Sequence, residues 1–249
     1  MCCRTLTYLS RFARIAALSM FAIAGAAVAA PDESPRPKPR PAFTPEVIPD
    51  TRWDHRGESE VWTRAALSAL KAHGAPLVKS VPKDIAQWCP GYAGAPAPVR
   101  RAFWVGFLSA LAKYESTWKP RAVGGGGRWY GLLQILPSTA RGYGCKARSG
   151  NALLTGTANL ACAIRIMAVT VPRDGVIHSR APRWSGVSAD WGPMRSDRKR
   201  QEMANWLRGQ DYCQRTTSPR PMPRPPQLTA PLDDPALRPR ARQLASNER

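Results

Sequence analysis

Four stretches between residues 58 and 209 place apolar side chains at helical intervals. ESEVWTRAALSALKAHG (58–74) spaces Val61, Ala65, Leu67 and Leu70 and stops at Gly74. VRRAFWVGFLSALAKYES (99–116) is the longest periodic run, and TANLACAIRIMAV (157–169) follows with Thr157 or Asn159 near its start. QEMANWLRG (201–209) again closes on a glycine. Alternation of β-branched and polar residues is nearly absent, and no internal repeat appears. The pattern predicts an all-α or mostly α domain with a small irregular lobe over 50–215, about 165 residues and enough for one core.

The flanks read differently. Residues 1–14 carry Arg4, Arg11 and Arg14, and IAALSMFAIAGAAVAA then runs apolar to small residues. That is the layout of a secretory signal peptide over 1–30, cleaved after Ala29 or Ala30. Roughly 15 apolar residues fall short of the ~20 that span a bilayer, so no stable membrane anchor is expected. No cysteine follows the apolar run to carry a lipid. Residues 31–49 hold PRPKPRP, a stiff charged linker, and 216–249 alternate proline with charge without apolar periodicity, as a disordered tail does.

Export changes the reading of the cysteines. Beyond the signal the chain has Cys89, Cys145, Cys162 and Cys213. An even number in an oxidising compartment suggests two disulfides, with three connectivities open; locality favours Cys145 with Cys162 and Cys89 with Cys213. There is no CxxC, and His55, His73 and His178 are scattered, so neither a metal nor another cofactor is expected. The formal net charge of +20 favours polyanionic partners. Nucleic acid is the weaker choice for an exported chain with no nucleic-acid-binding signature.

One acid stands apart. Glu115 is the only Asp or Glu between Asp84 and Asp174, an interval with eleven Lys and Arg. Helical spacing sets Trp104, Leu108, Leu111 and Glu115 within an arc of roughly 60°, with Phe107 beside it. A carboxyl on an apolar stripe is desolvated, and the negative helix end adds to the upward push on its pKa. A general acid needs that shift to hold its proton near neutrality. The competing expectation is a helix that has already ended, leaving Glu115 in water or paired with an arginine.

The context extends the motif: ESTWKP (115–120) is followed by AVGGGGRWYGLLQILPSTARGYG (122–144). In Glu115-Ser116, Trp118, Pro120, Gly131-Leu132, Gln134-Ile135, Pro137 and Thr139-Ala140, at this order and separation, the chain resembles the soluble lytic transglycosylases, lysozyme-like enzymes acting on peptidoglycan. Asn159-Leu160 with Ala161 and Ala163 looks like the family's next helix. The resemblance covers about 113–168 clearly and 99–192 loosely. It departs in two places. Leu133 stands where the family has methionine, a volume-conserving change. In SADWGP (188–193), Asp190 falls where a site tyrosine is usual, with Trp191 beside it.

The resemblance implies a mostly α, lysozyme-like domain in the periplasm with peptidoglycan glycan strands as partner; it names no secretion or wall-assembly partner. Glu115 would be the single acid and base, cutting between N-acetylmuramic acid and N-acetylglucosamine to give 1,6-anhydro products. Ser116 would hydrogen-bond the glutamate, and Gln134 with the Gly131–Leu133 backbone would hold acetamido or carbonyl groups. Trp129, Tyr130, Tyr143 and Trp191 are candidates for stacking on sugar faces or for filling the core. The GGGG run (124–127) is read as a mobile connection or a plain surface loop. Two other readings stand: a hydrolytic muramidase with Asp190 or Asp174 as second carboxylate, and an inactive peptidoglycan-binding domain.

Overall fold

A computed structural model describes residues 45–214, which fall within one unit of the chain. Residues 1–44 and 215–249, which include the expected signal peptide, most of the linker and the whole tail, lie outside the described residues. Eight α-helices and two short hairpins follow one another: α1 (Ser59–Lys71), α2 (Ala75–Lys79), α3 (Ile85–Trp88), α4 (Ala97–Glu115), β1 (Val123–Gly124), β2 (Trp129–Tyr130), α5 (Pro137–Gly142), α6 (Gly150–Leu153), α7 (Gly156–Asp174), β3 (His178–Ser179), β4 (Ser185–Gly186) and α8 (Asp197–Arg208). Both hairpins are antiparallel, pairing Val123 with Tyr130 and His178 with Gly186. The mostly α expectation holds, and the hairpins form its irregular part.

The four long helices follow the apolar pattern, with shifts of phase and end. On α1 the buried face is Trp62, Ala66, Leu67, Ala69 and Leu70, while Val61 is 59% exposed. The bulky indole takes the core-facing position and turns Val61 outward. Helix α4 starts at Ala97, two residues earlier than the pattern suggested, because Pro98 fits the first turn, where no N–H is needed. Helix α7 runs five residues past Val169, through Pro172, whose missing N–H costs one bond in the last turn only. It ends where Gly175 turns left-handed and donates to the Val171 carbonyl.

Helix α4 is the centre of the domain. Every residue from Ala102 to Ala112 is buried, so it has no solvent face along that length, and the 60° stripe understates its burial. Helices α1, α2 and α8 pack directly on it, and α7 packs on α1 and α2. Phe103, Trp104 and Phe107 meet Tyr92 and Trp88 edge-on around it. Among the described residues no helix is long and apolar enough to cross a membrane. The chain is already tied down at Glu46, which pairs with Arg101 and Lys71.

Two disulfides close the domain, Cys89–Cys213 across 124 residues and Cys145–Cys162 across 17, in the pairing that locality favoured. In the chain-entropy picture the longer loop contributes about 5 kcal/mol and the shorter about 3. Replacing Cys89 and Cys213 by serine together should therefore lower the melting temperature more than replacing Cys145 and Cys162. Calorimetry of the two double variants decides it; the opposite ranking would show that local packing, not loop length, governs.

Candidate active site

Glu115 is the last residue of α4, where the helix leaves the core. It is half-buried as a residue, but its Oε1 atom is buried and has no hydrogen-bond partner. Burial pushes the carboxyl up to about 7, against a smaller opposing pull from the Lys199 ammonium. Desolvation wins because the one nearby cation makes no bond to the carboxyl. At neutral pH the group is divided between acid and carboxylate, as a side chain must be to give and take a proton in turn.

The chain stops being helical at this residue for identifiable reasons. Thr117 and Trp118 both adopt left-handed backbone, φ 52° and 55°. Each conformation costs a side-chain-bearing residue about 1–2 kcal/mol. The Trp118 indole offsets this by donating to the Ser109 carbonyl (2.8 Å) and meeting His55 edge-on. Ser116 spends its hydroxyl locally, donating to the Ala112 carbonyl (3.4 Å) and accepting from the Lys119 N–H (3.2 Å). It shapes the turn and makes no bond to Glu115, unlike the role the resemblance implied.

The glycine run forms a turn. Gly125, Gly126 and Gly127 are all left-handed, and the N–H groups of Gly127 and Arg128 close onto the Gly124 carbonyl. Three such residues in a row need glycine. The Trp129 ring lies against Gly125, where a Cβ would fall 2.0 Å from it. Arg128 stacks over the same indole (5.1 Å) and donates to the Gly125 carbonyl. Arg128 is the only charged residue of this hairpin, which offers no carboxylate.

The segment 130–135 is held from within. Gly131 has φ +80°, and a Cβ there would meet the Leu153 carbonyl at 2.2 Å. Its N–H donates to Ala122. The Leu133 side chain is fully buried; its N–H goes to Asn159 Oδ1 (2.8 Å) and its carbonyl takes the Trp191 indole N–H (3.0 Å). The Gly131 and Leu133 backbone groups expected to bind substrate are thus already paired. Gln134, itself left-handed, donates to the Ala122 and Gly131 carbonyls and leaves only its side-chain oxygen, over Gly124. Trp191 is 3% exposed, so it is a core residue and presents no face to a sugar. Tyr130 is half-buried, packs on Gly150 and donates to the Gly127 carbonyl (2.6 Å).

Neither candidate second carboxylate exerts a resolved charge effect on Glu115. Asp174 is held below its ordinary range by its bond to Arg173, and it also accepts the Gly186 N–H (2.6 Å). Asp190 is exposed as a residue; loss of hydration from the surrounding protein pushes its carboxyl up, against Arg173 and Arg195. The charges acting on Asp190 are those two arginines and Asp174, and on Glu115 Lys199 alone. Tyr143 belongs to the Asp190 group, its hydroxyl pushed up by burial, then by Asp190.

Sequence reasoning noticed Asn159 near a helix start and in the resemblance to the family's next helix, but gave it no role in the site. It is fully buried, accepts from Leu133 and donates to the Tyr130 (2.8 Å) and Leu153 (3.0 Å) carbonyls. A single amide thus ties α7 to both α6 and the 130–133 segment. An asparagine on the apolar side of a helix was the available signal.

Residues 97–173 match the family model described as Transglycosylase SLT domain. Three solved chains match the fold, all titled Bd0314 DslA. The wild-type form is 28% identical with a TM-score of 0.61, over 69% of this chain and 100% of that one. Two variants, each with one glutamate replaced by glutamine, are 28% and 27% identical with TM-scores of 0.62 over the same shares. No curated protein matches.

Two outcomes test this site. Asn159→Ala should cost about 2–4 kcal/mol in urea unfolding, since it strands the Leu133 N–H; a loss below ~1 kcal/mol would mean the segment holds itself. For Glu115 the folded value near 7 lies above the ordinary 4.5, so the folded chain binds the proton more tightly and stability falls as pH rises between them. Above pH 7 the ionised group costs about 3 kcal/mol. Glu115→Gln should therefore be more stable than the parent by about that much at pH 8 and equal to it near pH 4. A difference independent of pH would mean that the carboxyl is hydrated.

Proposed function

We propose that this chain, whose residues 97–173 match the Transglycosylase SLT domain model, acts as a soluble lytic transglycosylase and cleaves the β-1,4 bond between N-acetylmuramic acid and N-acetylglucosamine with Glu115 as sole acid and base. The observation that carries this reading is the buried, unpartnered carboxyl oxygen at the end of α4.

Glu115 gives its proton to the bridging oxygen as the bond from the muramic-acid C1 breaks, and the N-acetylglucosamine end leaves as an alcohol. The oxocarbenium-like C1 is then captured by the sugar's own 6-hydroxyl, whose proton returns to Glu115. No water is consumed, and the carboxyl ends as it began. Most glycosidases need a second carboxylate to activate water or attack C1. Here the substrate supplies the nucleophile, which agrees with a hairpin carrying only Arg128 and with Asp174 bonded to Arg173 and to the Gly186 N–H. The Gln134 side-chain oxygen is the free acceptor for an acetamido N–H.

The two disulfides and the signal-like residues 1–30 support export to the periplasm, where the substrate lies. The basic surface suits a polymer bearing lactyl and peptide carboxylates.

Mass spectrometry of isolated peptidoglycan digested with the protein, both disulfides formed, tests the reading. Anhydro-muropeptides are expected, about 18 Da lighter than hydrolysed products, with none from Glu115→Gln. Hydrated products would make it a muramidase, and binding without release from the parent protein would make it a wall-binding domain.

A further inference from the structure

The two ends of the described chain meet at a groove beside the start of α4, the end opposite Glu115. The groove measures about 320 Å³ and is lined on its apolar side by Val47, Ile48, Pro49, Pro96 and Val99. Ile48 leaves 56% of its surface to solvent. The lining also holds Asp50 and Asp211, and it holds no lysine or arginine. Neither acid has an ion-pair partner among the described residues, although the chain carries a net charge of +20. The cations that follow Val99 are spent elsewhere, Arg101 on Glu46 and Arg100 on the carbonyls of Tyr92 and Ala93.

Gln214, the last described residue, is itself part of the lining, and the Cys89–Cys213 disulfide fixes the chain one residue before it. Its carbonyl lies against Gly91, where a Cβ would fall 2.2 Å away. With φ −64° and ψ 141°, Gln214 already has polyproline II backbone. Four residues on, the sequence reads SPRPMPRPP (218–226), prolines interleaved with Arg220, Met222 and Arg224. Such a composition favours the same extended helix, which settles into apolar grooves at low entropic cost. The proline-rich stretch before the domain has similar chemistry. It enters through Glu46, however, which Arg101 and Lys71 hold and which is not part of the lining.

We propose that this groove is the docking site of residues 218–226 of the same chain, with the prolines and Met222 on its apolar side and Arg220 and Arg224 beside Asp50 and Asp211. This docking does not depend on the acid–base role of Glu115. The short tether from Gln214 sets an effective concentration in the millimolar range, so a contact too weak to hold a free peptide tightly suffices within the chain. Exposed ion pairs contribute little singly; the two acids orient the segment, and apolar contact holds it. Val99 lies about 24 Å from Glu115 along α4, so the docked segment is clear of the carboxyl.

The test is a nitrogen-15 amide NMR comparison of the full chain from residue 31, both disulfides formed, with the same chain carrying a Gly-Ser repeat in place of residues 218–226. The signals of Val47, Ile48 and Val99 should move in the replaced chain. The synthetic peptide SPRPMPRPP should return them, half-saturating at about one millimolar. Asp50→Asn with Asp211→Asn should weaken that peptide by about threefold to tenfold, and raised salt should narrow the gap. If the Gly-Ser chain unfolds, Arg220→Glu with Arg224→Glu in the full chain replaces it and should move the same signals. Unmoved signals at Val47, Ile48 and Val99 would overturn the proposal. So would signals that change with protein concentration, which would seat a second copy in the groove. A peptide of residues 35–41 restoring the signals where SPRPMPRPP does not would overturn it as well.

Discussion

The domain depends on keeping one carboxyl oxygen out of water without a hydrogen bond. An unpaired buried polar atom is unfavourable by about 1–3 kcal/mol, more when charged, so the surrounding structure must over-determine it. Helix α4 does this by being buried on every side from Ala102 to Ala112, so that Glu115 is carried to the core's edge by a rod that cannot rotate. The aromatic collar of Trp88, Tyr92, Phe103, Trp104 and Phe107 makes the rod stiff. A glutamate on an exposed helix would have found water or an arginine and kept an ordinary pKa.

The treatment of other acids makes the contrast. Glu46 lies between Arg101 and Lys71, and Glu202 between Arg52 and Lys113. Asp174 is taken up by Arg173 and the Gly186 N–H, and Asp84 accepts the N–H groups of Ile177 and His178. In a chain with a net charge of +20, cations are plentiful and acids are readily neutralised. Glu115 differs: its Oε1 is buried with no hydrogen-bond partner, and no cation among the described residues pairs with it.

Rigidity extends to the segments beside the glutamate. Left-handed Thr117, Trp118 and Gln134 are strained conformations, and side-chain bonds hold Trp118 and Gln134 in place. Asn159 binds two further segments to α7. The motif residues that look available for substrate are mostly engaged with one another. Their bonds place the loop, and the free chemistry is concentrated in Glu115 and the Gln134 oxygen.

Periodicity alone located the four long helices, because burying an apolar face at 3.6-residue spacing is a local property of the chain. The isolation of Glu115 on such a face was also visible, as was its likeness to a family whose motif is contiguous. Cysteine spacing favoured the disulfide pairs. Burial decided the rest. Trp191 and Leu133 have side chains suited to a binding site, yet lie in the core, since only packing of distant segments determines which apolar groups lose solvent. The glycine run was ambiguous until the Trp129 ring closed over it. The sequence by itself determined which residue could be the acid; the tertiary structure decided how that acid is desolvated and which cation it feels, because both depend on atoms brought together from far apart.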